Sequence, residues 1–212
     1  TGENGVADLS LATGPITLDV DVRLTCLIYN PQGAERELTL TGSNAIEFWP
    51  VTTSPNLFVG PGRKLILDVP VTLPSSENYN GIIYGDGTVA FNKSIPVRLY
   101  NPVFSVYGTM ILSGQNLLGS TGSLRVGARG ASHTGTVILD EGCVLNCSYI
   151  LNHPAMLKIN IPYDPNYPVY PVNIIHDGAD VSIINYVWVT RYQPQNPLGP
   201  FGYSMRSGSL IT

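Results

Sequence analysis

Apolar and polar residues alternate along much of this chain, and the alternation predicts β-strands. From Ile16 to Cys26 every even-numbered residue is apolar and every odd-numbered residue is polar or charged. A period of two places successive side chains on opposite faces, so this run is predicted to be one strand with one solvated face. Turn residues at Asn30-Pro31 precede a second run at Glu37 to Leu40, and the two runs are predicted to pair as an antiparallel hairpin.

Later segments repeat the pattern. Apolar residues at every odd position from Leu65 to Leu73 predict another strand, in which Pro70 requires an edge position or a bulge. The turn Gly85-Asp86-Gly87 lies between two apolar runs and predicts a second hairpin. Helix periodicity is nearly absent, and no internal repeat is evident. Strands spaced by roughly 10 to 15 residues are typical of a sandwich or barrel.

The chain is therefore predicted to be an all-β protein of roughly ten short strands, arranged as an antiparallel β-sandwich. Residues 1–14 and 193–212 are predicted to be an extended N-terminal arm and an extended C-terminal tail, on either side of a sandwich at 15–192. Division of this sandwich into two, at 15–101 and 102–192, stays open as an alternative.

The composition indicates a surface that is poor in charge. Charged residues make up 12% of the chain against roughly 25% in typical soluble domains. Neutral polar residues or partner proteins must therefore cover much of the surface. The net charge is −4 and the basic residues do not cluster, which argues against direct, sequence-specific binding of nucleic acid. No apolar run approaches the roughly 18 residues of a membrane span.

No residue pattern in the sequence predicts catalysis, a cofactor or a metal site. The three histidines, His133, His153 and His176, have no metal-ligand spacing and are interpreted as loop or turn residues. Asp19 and Asp21 share one face of the first predicted strand, where a solvated surface is favoured over a carboxylate pair that acts in acid–base chemistry or binds calcium. The segment from His176 to Asp180 is interpreted as a turn rather than a calcium loop.

Cysteine, asparagine and aromatic residues complete the candidate chemistry. The three cysteines suggest no disulfide framework, and buried thiols are favoured: Cys26, Cys143 and Cys147. Asn92 and Asn146 each start an N-x-S triplet, although neither is expected to be glycosylated. Aromatic residues in proline-rich stretches are the best candidates for contacts with other subunits: Tyr163, Tyr167, Tyr170, Phe201 and Tyr203.

The second half resembles a known family in three motifs: Phe104-Ser-Val-Tyr-Gly-Thr-Met-Ile-Leu112, Gly119-Ser-Thr-Gly-Ser-Leu-Arg-Val126 and Leu157-Lys-Ile-Asn-Ile-Pro-Tyr163. Their order is similar to that of the middle strands of picornavirus-like capsid proteins, over residues 103–192. The resemblance implies a jelly roll that tiles an icosahedral shell and encloses the genome without enzyme chemistry. Its partners would be copies of itself and related capsid subunits, and its location the virion.

The first half favours a different interpretation. Tyr29-Asn30-Pro31, Gly60-Pro-Gly62 and Asn80-Gly81 resemble the turns of immunoglobulin-like modules. Two such sandwiches would make an extracellular or virion-surface binding module, such as an adhesin, a pilin or a spike. The sequence names no receptor for either interpretation.

Overall fold

A computed structural model provides the structure of the chain. It describes residues 5–48, 57–72, 80–92, 103–106, 108–114, 123–129, 135–152, 169–170, 173–189 and 202–211. Within these ranges every regular element is a strand, and none is a helix.

Most of the described strands have two to five residues, whereas β14, β16, β18 and β19 are longer. Their bounds are β1 Val6–Asp8, β2 Ile16–Thr17, β3 Val22–Leu24, β4 Cys26–Tyr29, β5 Glu37–Thr41, β6 Ile46–Phe48, β7 Leu57–Val59, β8 Lys64–Asp68, β9 Val71–Thr72, β10 Asn80–Tyr84, β11 Thr88–Phe91, β12 Val103–Val106, β13 Thr109–Leu112, β14 Ser123–Arg129, β15 Thr136–Leu139, β16 Val144–Asn152, β17 Val169–Tyr170, β18 Asn173–Val189 and β19 Gly202–Ile211.

Strands that follow one another along the chain do not form hairpins. Strands up to β18 pair with strands two or three elements away, in the order β1-β4-β7-β10-β12-β14-β16-β18 and in the order β2-β5-β8-β11-β13-β15-β18, and β19 pairs in parallel with β18. A smaller sheet has the order β3-β6-β9. Every described pairing is parallel except that of β14 with β17. The chain therefore winds as a parallel β-solenoid, in which each coil stacks on the coil before it.

Residues at equal register form columns that run from coil to coil. Leu40 aligns with Leu67, Leu67 with Phe91, Phe91 with Leu112, and Leu112 with Leu139. All five side chains are buried, because alternate residues of these strands face the interior of the solenoid. We call this column the inner row. Stacked aliphatic and aromatic side chains of this kind are the main contribution to the core.

Glycines occupy the corner that precedes β8, β11 and β13, where successive coils approach closely. A Cβ atom added to Gly108 would lie 2.6 Å from the carbonyl oxygen of Gly85 and even closer to that of Gly87. The Gly108 and Gly87 carbonyls accept backbone hydrogen bonds from Thr136 and Thr109, at 2.9 and 3.0 Å. The absence of a side chain thus allows the coils to stack with unbroken backbone hydrogen bonds.

The antiparallel β-sandwich predicted from the sequence is wrong, because the sheets are parallel. The correction applies to the jelly roll and equally to the alternative of two immunoglobulin-like sandwiches, since both folds are built from antiparallel strands. An alternating pattern arises in either case. A solenoid has one buried and one outer face along each strand, as a sandwich does.

The predicted hairpins are also absent from the described residues. β4 pairs with β1 and β7, and β5 pairs with β2 and β8, so these two strands do not pair with each other. The turn at Gly85-Asp86-Gly87 is likewise a corner between β10 and β11, each of which pairs with strands of neighbouring coils.

The run from Ile16 to Cys26 is not a single strand. It divides into β2, β3 and the first residue of β4, with bends between them. At one bend the Asp21 carboxylate accepts a 2.7 Å hydrogen bond from the Ala45 amide of the next coil. Pro70 similarly lies between β8 and β9 at a corner, rather than within a strand, so its missing amide hydrogen costs no ladder bond.

Candidate interaction surface

The strands that carry the inner row also present an outer surface with three parallel stripes. We call it the striped face and define it by the outward positions of β8, β11, β13 and β15. The first stripe is Lys64, Thr88, Thr109 and Thr136; the middle stripe is Ile66, Ala90, Ile111 and Ile138; the third stripe is Asp68, Asn92, Ser113 and Asp140.

The stripes follow from the register of the strands. Parallel pairing aligns Thr88 with Thr109 and Thr109 with Thr136, and it aligns Ile111 with Ile138. Neighbouring strands lie about 4.8 Å apart, so each stripe repeats at that interval along the solenoid. The middle stripe continues onto β18 through Ile175, which aligns with Ile138. The result is a regular array of side chains on one side of the solenoid.

The middle stripe is apolar although it lies on the outside. Ile66, Ile111, Ile138 and Ile175 are all partly exposed, whereas Ala90 is buried. An outer strand position in a soluble protein is more often polar. The stripe therefore places aliphatic side chains in partial contact with solvent. Packing of the core does not require aliphatic residues at these outward positions.

Charges on the striped face lie at its two ends, with Lys64 and Asp68 at β8 and Asp140 at β15. Lys64 on β8 forms an exposed ion pair with Glu37 of β5, with 3.1 Å between Nζ and Oε2. On β11 and β13 all the outward residues are uncharged. There the third stripe is linked by a 2.7 Å hydrogen bond from the Ser113 hydroxyl to the Asn92 side-chain oxygen. The centre of the face is thus neutral and its polar groups are hydrogen-bonding side chains.

Most predicted contact residues have little or no structural description. Tyr163, Tyr167 and Phe201 lie outside the described residues. Tyr170 belongs to β17 and Tyr203 to β19, at the level of the backbone. The prediction that these five residues contact other subunits stays a prediction. The striped face was not predicted, although the recurrence of Gly-Thr before an apolar triplet could have indicated it.

The acidic residues considered for acid–base chemistry or calcium binding lie at exposed bends or in contacts between coils. Asp19 and Asp21 are exposed at the bends around Val20, in agreement with a solvated surface, and Asp21 binds the backbone of the neighbouring coil. Asp177 and Asp180 form contacts with the last coil: Arg206 lies 3.3 Å from Asp177, and the Ser209 hydroxyl lies 2.6 Å from Asp180. Within the described parts of the chain, no group of three or more His, Cys, Asp or Glu side chains could hold a metal ion.

His176 differs from its prediction as a loop or turn residue. It lies in β18 in register with Leu139, fully buried, with Nε2 2.7 Å from the carbonyl oxygen of Ala179. His133 and His153 lie outside the described residues. In the preceding coils the positions that align with His176 are occupied by leucine or phenylalanine. Only the stacking of the coils reveals that His176 takes the same inward position, so the sequence interpretation missed it.

Two of the three cysteines agree with the prediction of buried thiols, and the side chain of Cys147 lies outside what the structure describes. Cys26 and Cys143 are both buried and free of disulfide bonds. Burial raises the pKa of the Cys26 thiol, and the nearby Asp8 carboxylate adds to the effect. A thiol held in its protonated form is a poor nucleophile, so this site is unsuited to thiol chemistry.

Tyr29 is an unusual member of the core. Its ring is fully buried, and its hydroxyl has no hydrogen-bond partner among the described residues. Burial raises the pKa of this phenol, with Arg63 acting in the opposite direction. An unpaired buried hydroxyl destabilises the fold, because the group loses its hydrogen bonds to water without replacement.

Comparison with known proteins adds no relative. No family model, no curated protein and no solved structure matches this chain. The described residues include no helix long and apolar enough to cross a membrane.

Proposed function

We propose that this protein is a structural subunit of a virion, which acts by associating with copies of itself and with related subunits. The striped face is the observation that carries the proposal. It is neutral at its centre, apolar along its middle stripe and regular over four strands, which suits a surface that another protein covers. The low charge of the whole chain, at 12% of residues, supports the same conclusion.

The proposal concerns association and not the geometry of a shell. An icosahedral arrangement was expected only from the resemblance to picornavirus-like capsid proteins, whose implied jelly roll is absent here. Parallel coils provide long, flat sides, and these favour side-by-side contacts between subunits.

Assembly is tested on the purified chain. Sedimentation velocity and negative-stain microscopy over a range of protein concentration, pH and salt should reveal dimers, rings or particles. A monodisperse monomer under every condition would contradict the proposal. The location is tested separately, by mass spectrometry of particles purified from the source material, in which peptides of this chain should copurify with a nuclease-protected genome.

A second candidate is a binding module on the surface of a virion or a cell. The solenoid favours it because stacked coils form a rigid support from which corner segments project, and such segments often carry ligand sites. The corner between β4 and β5 spans residues 30–36, whereas that between β10 and β11 spans only 85–87. Binding to a glycan array or to intact host cells by a chain that stays monomeric would favour this candidate over the first.

A further inference from the structure

We propose that the striped face binds the same face of a second copy of this chain, about a two-fold axis parallel to the solenoid axis. This inference rests on the proposed assembly function and identifies its partner and contact. The two-fold axis determines which side chains of the two copies lie opposite each other.

The proposed axis places the first and third stripes opposite each other and the middle stripe opposite itself. Each of these pairings is favourable. Rotation about a line parallel to the solenoid axis places the first stripe of one copy opposite the third stripe of the other, strand for strand. Lys64 then faces the Asp68 carboxylate of the second copy, and the Thr136 hydroxyl faces Asp140. The middle stripe faces itself, so Ile66, Ile111 and Ile138 form an apolar seam along the axis.

A perpendicular axis, parallel to the strands, gives a worse match. It places each stripe opposite itself with the order of strands reversed, so that β8 faces β15. Asp68 would then face Asp140, and Lys64 would face the uncharged Thr136. Like charges placed opposite each other at an interface are unfavourable, so the charges of the face discriminate between the two arrangements.

The size of the face determines how strong the contact can be. Four strands at about 4.8 Å, each with five residues at about 3.3 Å, give on the order of 300 Å² per copy. Stable complexes bury roughly 800 Å² per partner. The contact is therefore a weak dimer that depends on concentration.

The first test compares two partly exposed isoleucines on strands of different sheet paths. Ile111→Glu introduces a carboxylate into the proposed seam, whereas Ile28→Glu places one at a partly exposed position of β4. We expect Ile111→Glu to raise the dimer dissociation constant about tenfold or more, and Ile28→Glu to leave it unchanged. Sedimentation equilibrium measures both, with circular dichroism as the check on folding. Equal effects of the two substitutions would overturn the proposal.

The second test exchanges the charges of two partly exposed residues of β8, with circular dichroism as the check on folding. Lys64→Asp and Asp68→Lys should each weaken the dimer, because each places like charges opposite each other across the proposed axis. The double variant Lys64→Asp/Asp68→Lys should restore it. Failure of the double variant to recover would overturn the proposed axis, even if the Ile111→Glu chain does not fold.

The third test locates the axis by crosslinking. Packed sheets lie about 10 Å apart, which is beyond the reach of a disulfide and within that of a short bis-maleimide. Ile66→Cys should crosslink to itself in a second copy, above the level given by the parent chain with its native cysteines. The perpendicular axis instead places Ile66 opposite Ile138 of the second copy. It therefore predicts crosslinking only when the Ile66→Cys chain is mixed with an Ile138→Cys chain.

The outcomes separate this inference from the function on which it rests. Assemblies that persist in all the face variants would overturn the inference and leave the proposed function intact. A parent chain that never associates would overturn both.

Discussion

The inner row and the middle stripe of the striped face belong to the same strands and differ in what surrounds them. Leu67, Leu112 and Leu139 are at most 1% exposed, and they hold successive coils together. Ile66, Ile111 and Ile138 are their immediate neighbours along the chain and lie partly in solvent. Burial within one chain accounts for the first set and leaves the second unexplained. The two apolar rows on opposite faces of one sheet thus differ in solvent contact, and the proposed dimer would cover the outer one.

The largest effect should come from the inner row. Leu112→Ala removes a fully buried side chain from the middle of the core and should lower the free energy of unfolding by about 2 to 5 kcal/mol. Ile111→Ala, one residue away on the outer side, should cost about 1 kcal/mol or less. Urea denaturation of both variants at low protein concentration measures the difference. Similar losses would show that the two rows are not distinct.

The corner glycine should come next, because it sets the register of both rows. In Gly108→Ala the added methyl group meets the carbonyl oxygens of Gly85 and Gly87, which are backbone atoms and cannot rotate away. We expect a loss of about 1 to 3 kcal/mol from the displacement of one coil. Gly14→Ala is the control, since an added Cβ there has no atom within 4 Å. Thermal unfolding of the two variants should differ clearly.

Tyr29 is a buried residue like those of the inner row, but it carries a polar hydroxyl where they carry only apolar atoms. Tyr29→Phe removes the buried hydroxyl and keeps the ring, so it should raise the free energy of unfolding by about 1 kcal/mol. Destabilisation instead would mean that the hydroxyl has a partner. Tyr29→Leu provides a comparison, because it loses the ring as well and should destabilise.

The same residue should make stability fall in alkali. Burial raises the pKa of Tyr29 in the folded state above its ordinary value of about 10, so the folded chain retains the proton that the unfolded chain loses. This contribution is fully present below about pH 10 and is lost as the pH rises through the folded value. Unfolding curves from pH 8 to 11 should show a decline that is smaller in Tyr29→Phe. Identical declines in the two proteins would contradict this assignment.

The smallest effect on stability should come from the middle stripe. Ile138→Thr keeps a β-branched side chain on the outer side of β15 and should change the free energy of unfolding by about 0.5 kcal/mol or less. Its effect should appear in association, because the seam loses an aliphatic contact. Scattering measurements over a concentration series check the latter. A stability loss as large as that of Leu112→Ala would mean that the middle stripe supports the fold itself.

The alternation of apolar residues indicated strands and could not indicate how they pair. From Leu65 to Leu67, for example, inward and outward residues alternate in a solenoid as they would in a sandwich. The distinction depends on whether Lys64 lies beside Thr88 in a parallel or an antiparallel pairing, and hydropathy carries no information about that. Gly-Asp-Gly at 85–87 was misleading for a physical reason, because the same conformational freedom that closes a hairpin also forms a corner.

A repeat was present in the sequence and was missed. Gly87-Thr-Val-Ala-Phe-Asn92, Gly108-Thr-Met-Ile-Leu-Ser113 and Gly135-Thr-Val-Ile-Leu-Asp140 share a glycine, a threonine, an apolar triplet and a polar residue. The intervals between them, of 21 and 27 residues in register, are unequal, and this irregularity conceals the period. Recurrence of this kind is the sequence signature of stacked coils. It would have predicted the Thr and Ile stripes together with the corner glycines.

Columns of parallel strands also make stability a local property. Each coil contacts the coils on either side, so opening can begin at one end and advance coil by coil without disrupting the rest. Side chains at residues 205–211 of β19 are exposed, and this coil should release its amide hydrogens to solvent exchange first. Amides of β11 and β13, enclosed on both sides, should exchange last. The striped face lies over these most persistent coils, and a contact there would keep its shape while the ends of the solenoid open and close.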